Sequence, residues 1–454
     1  MTVLVTPAEM DPMASASLRG RFHQLVVALD SESVRDRLQS ALFEGTGLYV
    51  ESCARPKAEI AGDICWLQYP LQVRTTANLS RDVLVIGALF AEPARAAEWE
   101  RRALFPLAAW WSPPLRPVPR PTATLAELGM AVSVFPVNGS LPSIVDATNP
   151  QTMTRMFSSL IGDGNGPQVT SVELVLFRRS RGCVLRYSLA SRDQPTVYGK
   201  VGYGAAGSVV HDGLEALAQH PLSHPGRSVF FPRVIGSSTE LDLTLVTEIP
   251  GESPDLGKEA RADQAVDAAA LVAAHLHSSG VTIGAAHTLE DELDRATNAV
   301  TLIGRDAPAL TARLTAVLAS VRARAARIRV QPFVLAHGSF APSQLMLDGP
   351  NVGVLDFDRL CQAEPAFDLG RFLAPLRVKL AKHGLAAGDG LAARLLETYH
   401  ALGGLPTPHE RVALYEVASL ARMAARSWLQ LKPSRLHLVC SILEQHLTEL
   451  DLAT

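Results

Sequence analysis

The first apolar run, in LVVALDSESVRDRLQSALF (25–43), is short and is followed by acidic and hydroxyl residues. It predicts a strand, an N-cap at Asp30 or Ser31, and an amphipathic helix carrying Val34, Leu38 and Leu42 on one face. A second apolar run at 83–90 predicts a strand, and Pro93 opens a helix through Trp99 and Arg102. These elements outline an α/β module over residues 1–125, closed by the proline-rich stretch 112–125, which reads as a stiff linker or boundary. AVSVFPVNGSLP then reads as strand and turn, NPQTMTRMFSSLI as a helix, and SVELVLFRRSRGCVLRYSLA with TVYGKVGYG as three strands. Beyond them the periodicity is helical to the end, with one β interruption at VGVLDFD. The expected division is a linker and small β lobe over 126–250 and a helical large lobe over 251–454.

Composition narrows the function classes. A chain of 454 residues exceeds the ~100–200 residues of one ordinary domain, and 47% hydrophobic against 19% charged residues suits a packed globular protein. A net charge of -3 gives no global basic field for nucleic acid or anionic lipid, so any anion site must be local. The start MTVLVTPAEMDPM lacks the basic and apolar regions of a signal peptide, and the apolar stretch 103–111 is cut by Pro106, well short of the ~18 residues of a membrane span. Five widely spaced cysteines without a CxxC pair predict reduced thiols in a cytoplasmic protein, and His275-Leu276-His277 lacks the further ligands of a zinc site.

Candidate chemistry concentrates in Leu335-Ala336-His337-Gly338-Ser339-Phe340, then Gln344, then Val354-Leu355-Asp356-Phe357-Asp358-Arg359, followed by AEPAFDLGRFLAPL. One short loop placing a group beside an acceptor and another on a metal suits phosphoryl transfer, which is mostly positioning and charge neutralisation. The ordered set resembles the catalytic and metal loops of the aminoglycoside phosphotransferase and choline-kinase-like superfamily, whose pattern is His-Gly-Asp, four residues, Asn, then an apolar strand ending in Asp. The resemblance spans roughly 165–450 and implies an α+β, two-lobed protein-kinase-like fold, an antiparallel small lobe on a helical large lobe, beside the N-terminal α/β module.

It also implies residue roles. Asp356 would hold Mg²⁺, a hard cation that prefers carboxylate oxygen, and Gln344 would replace the family's asparagine as second ligand. Asp358 would assist a second ion or act in catalysis, or else be a solvent-facing turn residue. Lys200, on the third strand of the small lobe, would hold nucleotide phosphates and pair with Glu215 in the following helix. Backbone groups of Glu248 and Ile249, in the hinge-like segment 245–251, would meet the adenine edge. The turn 178–182 could lie over the phosphates or be a solvated basic turn. Asp368, Arg371 and His337 would serve the scaffold.

Ser339 departs from the pattern, since a serine hydroxyl is no base at neutral pH. Two function classes follow. One is a phosphotransferase moving the γ-phosphate of ATP or GTP onto a hydroxyl-bearing acceptor, a small molecule or modified peptide. The other is a catalytically impaired pseudokinase serving as a nucleotide-binding scaffold or regulatory module, with a protein partner for residues 1–125 as an open role.

Overall fold

The computed structural model describes residues 9–450 apart from 77, 113–117, 162–165, 179–181, 192–193, 203–206, 220–225 and 386–389. Three short helices, α1 (Ala16–Arg21), α2 (Leu25–Leu29) and α3 (Ser31–Leu38), come first. The run at 25–29 is therefore a helix and not the expected strand: Leu25 and Ala28 are buried together at a three-residue spacing while Val26 is exposed. Asp30 caps α3 as the sequence suggests, accepting a hydrogen bond from the Ser33 backbone N–H.

An antiparallel six-stranded sheet follows. Strands β1 (Leu48–Cys53) and β2 (Lys57–Ala61) lie end to end along one edge of the long β3 (Ile64–Thr75), and β4 (Ser80–Phe90) pairs along its other edge. After α4 (Arg95–Trp99) and α5 (Phe105–Trp110), β5 (Thr122–Leu125) and β6 (Met130–Val134) complete this sheet in the order β1-β3-β4-β6-β5. The linker reading of 112–125 is thus corrected at its C-terminal end. Thr122–Leu125 pairs with β6, and β6 with β4, so the sheet continues past the prolines rather than ending at them.

Helices α6 (Ile144–Ala147) and α7 (Pro150–Ile161) pack on a second antiparallel sheet, with the Tyr187 hydroxyl donating to the Ala147 carbonyl at 2.9 Å and its ring edge-on to Phe157. That sheet contains β7 (Val169–Arg178), β8 (Gly182–Leu189) and β9 (Thr196–Val201). Helix α8 (Gly207–Ala218) and the short β10 (Val229–Phe230) intervene before β11 (Val234–Ser238) and β12 (Leu243–Thr247), giving the order β11-β12-β9-β8-β7. Alternating burial along β8 and β9 is the mark of one packed and one open face.

The remaining chain is mainly helical. Helix α9 (Glu259–Ser278), rich in alanine, is buried nearly all round and forms the spine of this half. It leads to β13 (Ala286–His287), α10 (Leu289–Thr301), which opens on a Thr288–Asp291 capping box, and α11 (Pro308–Ala325). Four more short strands, β14 (Val334–Ala336), β15 (Leu345–Asp348), β16 (Asn351–Val354) and β17 (Cys361–Ala363), precede α12 (Pro365–Lys382), α13 (Gly390–Ala401), α14 (His409–Leu429) and α15 (Pro433–Glu449). The single β interruption expected here is therefore two small three-stranded sheets, β10-β16-β15 and β13-β17-β14. Strands of two to four residues are too short to show alternation in sequence.

Candidate nucleotide and phosphate site

The two small sheets hold the loop between β14 and β15 and the loop after β16 against each other. Gly338, at φ 75°, passes so close to the Arg359 carbonyl that an added Cβ would lie 1.8 Å from its oxygen, which only glycine permits. Asp368, in the first turn of α12, clamps this loop: its two carboxylate oxygens accept from the His337 and Gly338 backbone N–H groups at 2.6 and 3.0 Å. His337 Nε2 donates to the Leu355 carbonyl at 2.9 Å, and burial lowers the pKa of the ring, so the imidazole is a neutral packing element between Phe340 and Phe357. Asp368 and His337 thus stand where scaffold roles place them.

Asp356 adopts a left-handed backbone conformation, φ 72°, unusual for a residue with a side chain. Its Oδ1 lies 3.0 Å from Lys200 Nζ, and the same ammonium reaches both oxygens of Asp358 at 2.8 and 2.7 Å. Lys200 sits on β9, opposite Val184 of β8 and Thr244 of β12, so the pair joins the second sheet to the loop after β16. Burial works against every charge in this trio. It is outweighed at Lys200, whose pKa is raised by both aspartates, and at Asp356, which Lys200 holds well below the usual carboxylate range. Asp358 goes the other way: burial, reinforced by the neighbouring Asp356, pushes it up to about 6.

Ser339 is buried, its hydroxyl donating to the Asp356 carbonyl at 3.1 Å, with His337 Nδ1 at 3.4 Å. Gln344 donates its amide N–H to Asp356 Oδ2 at 3.3 Å, while its buried Oε1 has no hydrogen-bond partner. That lone amide oxygen beside a carboxylate is a donor set that fits a hard cation. Among the described residues no group of three or more His, Cys, Asp or Glu side chains is set to hold a metal by itself. Phosphate oxygens would have to complete the shell.

Two cavities meet here. One, of about 490 Å³, is largely apolar and runs beneath the second sheet between Val184, Tyr198, Val246, Ile249, Met346 and Phe357, ending at Lys200, Gln344 and the two aspartates. Ile249 faces it, whereas the Glu248 carboxylate accepts from the Tyr198 hydroxyl at 3.3 Å. The other, of about 510 Å³, opens on the far side of Asp356 and Asp358 and takes in Ser339, His287, Arg178, Arg295 and Arg359.

Glu215 is the one predicted partner the structure does not bring in. It lies on the exposed side of α8, 3.7 Å from His211 Nε2, and the aspartates take its expected place on Lys200. Two partly buried carboxylates already flanking the ammonium satisfy it better than a solvated glutamate. Residues 179–181 of the expected phosphate-covering turn lie outside the described residues; Arg178 at its start lines both cavities.

Residues 210–415 match the model of the phosphotransferase enzyme family. That stretch, within the kinase-like part of the chain, is similar to this family. Choline kinase from Cryptosporidium parvum is similar in fold at 10% identity and a TM-score of 0.50, over 67% of this chain and 96% of that one. A choline/ethanolamine kinase family protein from Mesorhizobium loti aligns at 14% identity and 0.46 over 68% and 97%, and an aminoglycoside phosphotransferase from Streptomyces rimosus at 20% and 0.37 over 62% and 97%. No curated protein matches the chain.

Within this site, the residues missed by sequence reasoning are Arg295, Arg359 and His287. Only Arg359 lay inside a motif, and Arg295 could have been suspected from its place three residues after a buried glutamate, Glu292, which it meets at 3.6 Å.

Proposed function

We propose that this protein binds a Mg²⁺-nucleotide, ATP in the first instance and GTP as the alternative, in the apolar cavity and passes the γ-phosphate to an oxygen of a small-molecule acceptor in the basic one. The carrying observation is Lys200 Nζ at 3.0 Å from Asp356, at the junction of the two cavities. A base would sit on the apolar walls near Ile249, and Lys200 would meet the phosphates. Asp356 and Gln344 Oε1 would hold the ion, with Asp358 beside them; when bound, Mg²⁺ neutralises phosphate charge. Residues of the clamped 337–339 loop then orient the acceptor. Five free cysteines are in keeping with a reducing, cytoplasmic setting, and no described helix is long and apolar enough to cross a membrane.

Ser339 favours a second reading, a nucleotide-binding module that has lost transfer, because a missing general base removes about 10²–10⁴ of rate. Thermal stability and phosphate transfer, followed together on purified protein with Mg·ATP, separate the two. Stabilisation with transfer supports the enzyme and stabilisation alone the module. Asp356→Ala should abolish Mg²⁺-dependent stabilisation; if that variant responds to Mg·ATP as wild type does, both readings fail.

A further inference from the structure

The charge of the second cavity says more about the acceptor. Among its described lining residues the carboxylates are Asp356 and Asp358, both engaged by Lys200, while Arg178, Arg295 and Arg359 supply three guanidinium groups. Behind this wall Glu292 is fully buried and meets Arg371 at 2.8 Å, Arg422 at 3.5 Å and Arg295 at 3.6 Å, with His287 Nε2 at 3.3 Å. One carboxylate is thus shared by three guanidinium groups. Arg295 stands at the edge of this cluster, half exposed, with its Nη1 3.4 Å from His287.

We propose that the acceptor is an anion whose attacking oxygen is already ionised, a carboxylate or a phosphate monoester. This rests on the nucleotide reading above and departs from the resemblance in replacing a hydroxyl nucleophile. Two independent observations converge on it. The arginine-lined wall suits carboxylate or phosphate oxygens, which guanidinium groups bind bidentately. At position 339 there is no base, and the serine O–H is directed to the Asp356 carbonyl; an ionised oxygen needs no proton removed, and a carboxylate at 339 would repel it. The step balances without a base. A lone pair of the acceptor oxygen forms the new O–P bond to the γ-phosphorus, the bond from that phosphorus to the β,γ-bridging oxygen breaks, and ADP leaves with its electron pair. The product is an acyl phosphate from a carboxylate or a diphosphate from a phosphate monoester.

The test uses the full chain with Mg·ATP and four probes: succinate with hydroxylamine to trap an acyl phosphate, glycerol 3-phosphate followed by phosphorus NMR, and glycerol and choline as neutral and cationic alcohols. One anionic probe should turn over at least tenfold faster than either alcohol, and which one does so identifies the oxyanion. Ser339→Asp should slow that reaction at least tenfold. Arg295→Glu should raise its KM at least tenfold while leaving Mg·ADP affinity unchanged, with Arg359→Gln as the second variant should the first not fold. Preference for an alcohol, equal inactivity of all four probes, or a rate gain in Ser339→Asp overturns the proposal while leaving the nucleotide site standing. Failure to take up Mg·ADP overturns the nucleotide reading and this proposal with it.

Discussion

Single side chains here carry consequences that can be measured separately. Gly338 combines φ 75° with a carbonyl where a Cβ would go, so Gly338→Ala must both strain the backbone and push the loop from Arg359. A destabilisation above about 2 kcal/mol is expected from denaturant unfolding. Glu292 gives a pH prediction. Burial opposes its ionisation, but Arg371 foremost, then His287, Arg422 and Arg295, bring its pKa down to about 2. A carboxyl with a depressed folded pKa contributes stability that is complete above its unfolded value near 4.5 and is lost as pH falls through about 2. Glu292→Gln should therefore flatten the acid side of the stability profile between those values. At neutral pH it should cost about 3–5 kcal/mol, since it leaves buried guanidinium groups without their counter-charge. An unchanged profile between pH 4.5 and 2 would show that the carboxylate does not hold the cluster.

At the scale of elements, the pieces that were legible in the sequence are those whose local pattern and tertiary role agree. Strands β7 to β9 are long and half-buried, α7 is apolar on one face and α9 is apolar along most of its length, and the 335–359 segment carries polar residues at spacings set by two abutting loops. Lys200, Gln344, Asp356, Asp358 and Ser339 do converge, because strand β9 and the loop after β16 face one another. What was not legible has physical reasons. LVVAL is an apolar pentamer whose strand and helix readings differ only in which neighbours bury Leu25 and Ala28. Glu215 was paired with Lys200 from distance along the chain, whereas the actual partners are more than 150 residues away and reachable only once the lobes are assembled. The helix clamp adds a prediction at this scale: Asp368→Ala leaves the His337 and Gly338 N–H groups buried without an acceptor and should cost about 2–4 kcal/mol while lowering Mg·ADP affinity. Loss of stability with unaltered nucleotide affinity would separate the clamp from the site.

Across the whole molecule, the N-terminal sheet is tied to the helical half through α1. Ser15 Oγ donates to the Asp306 carbonyl at 2.8 Å, Ser17 Oγ to its carboxylate at 2.7 Å, and Arg21 forms a buried ion pair with the same carboxylate. Asp306 lies between α11 and α10, the helix that carries Arg295. Removing one partner of a buried pair costs about 3–5 kcal/mol, so Asp306→Ala should release the N-terminal sheet and split one calorimetric transition into two. A single transition at nearly the wild-type temperature would mean that the sheet is held by its other contacts, such as β2 against α14.

The ammonium seated between Asp356 and Asp358 makes the site an interlock. A divalent ion arriving alone would have to compete with the Lys200 ammonium for the same two carboxylates. A nucleotide arriving alone would offer the lysine a phosphate while drawing it away from the two aspartates it neutralises. Each guest prepares the place of the other, so both should bind weakly singly and tightly as a pair, and titrating Mg²⁺ with and without ADP should show affinities at least about tenfold apart, a coupling of some 1.4 kcal/mol.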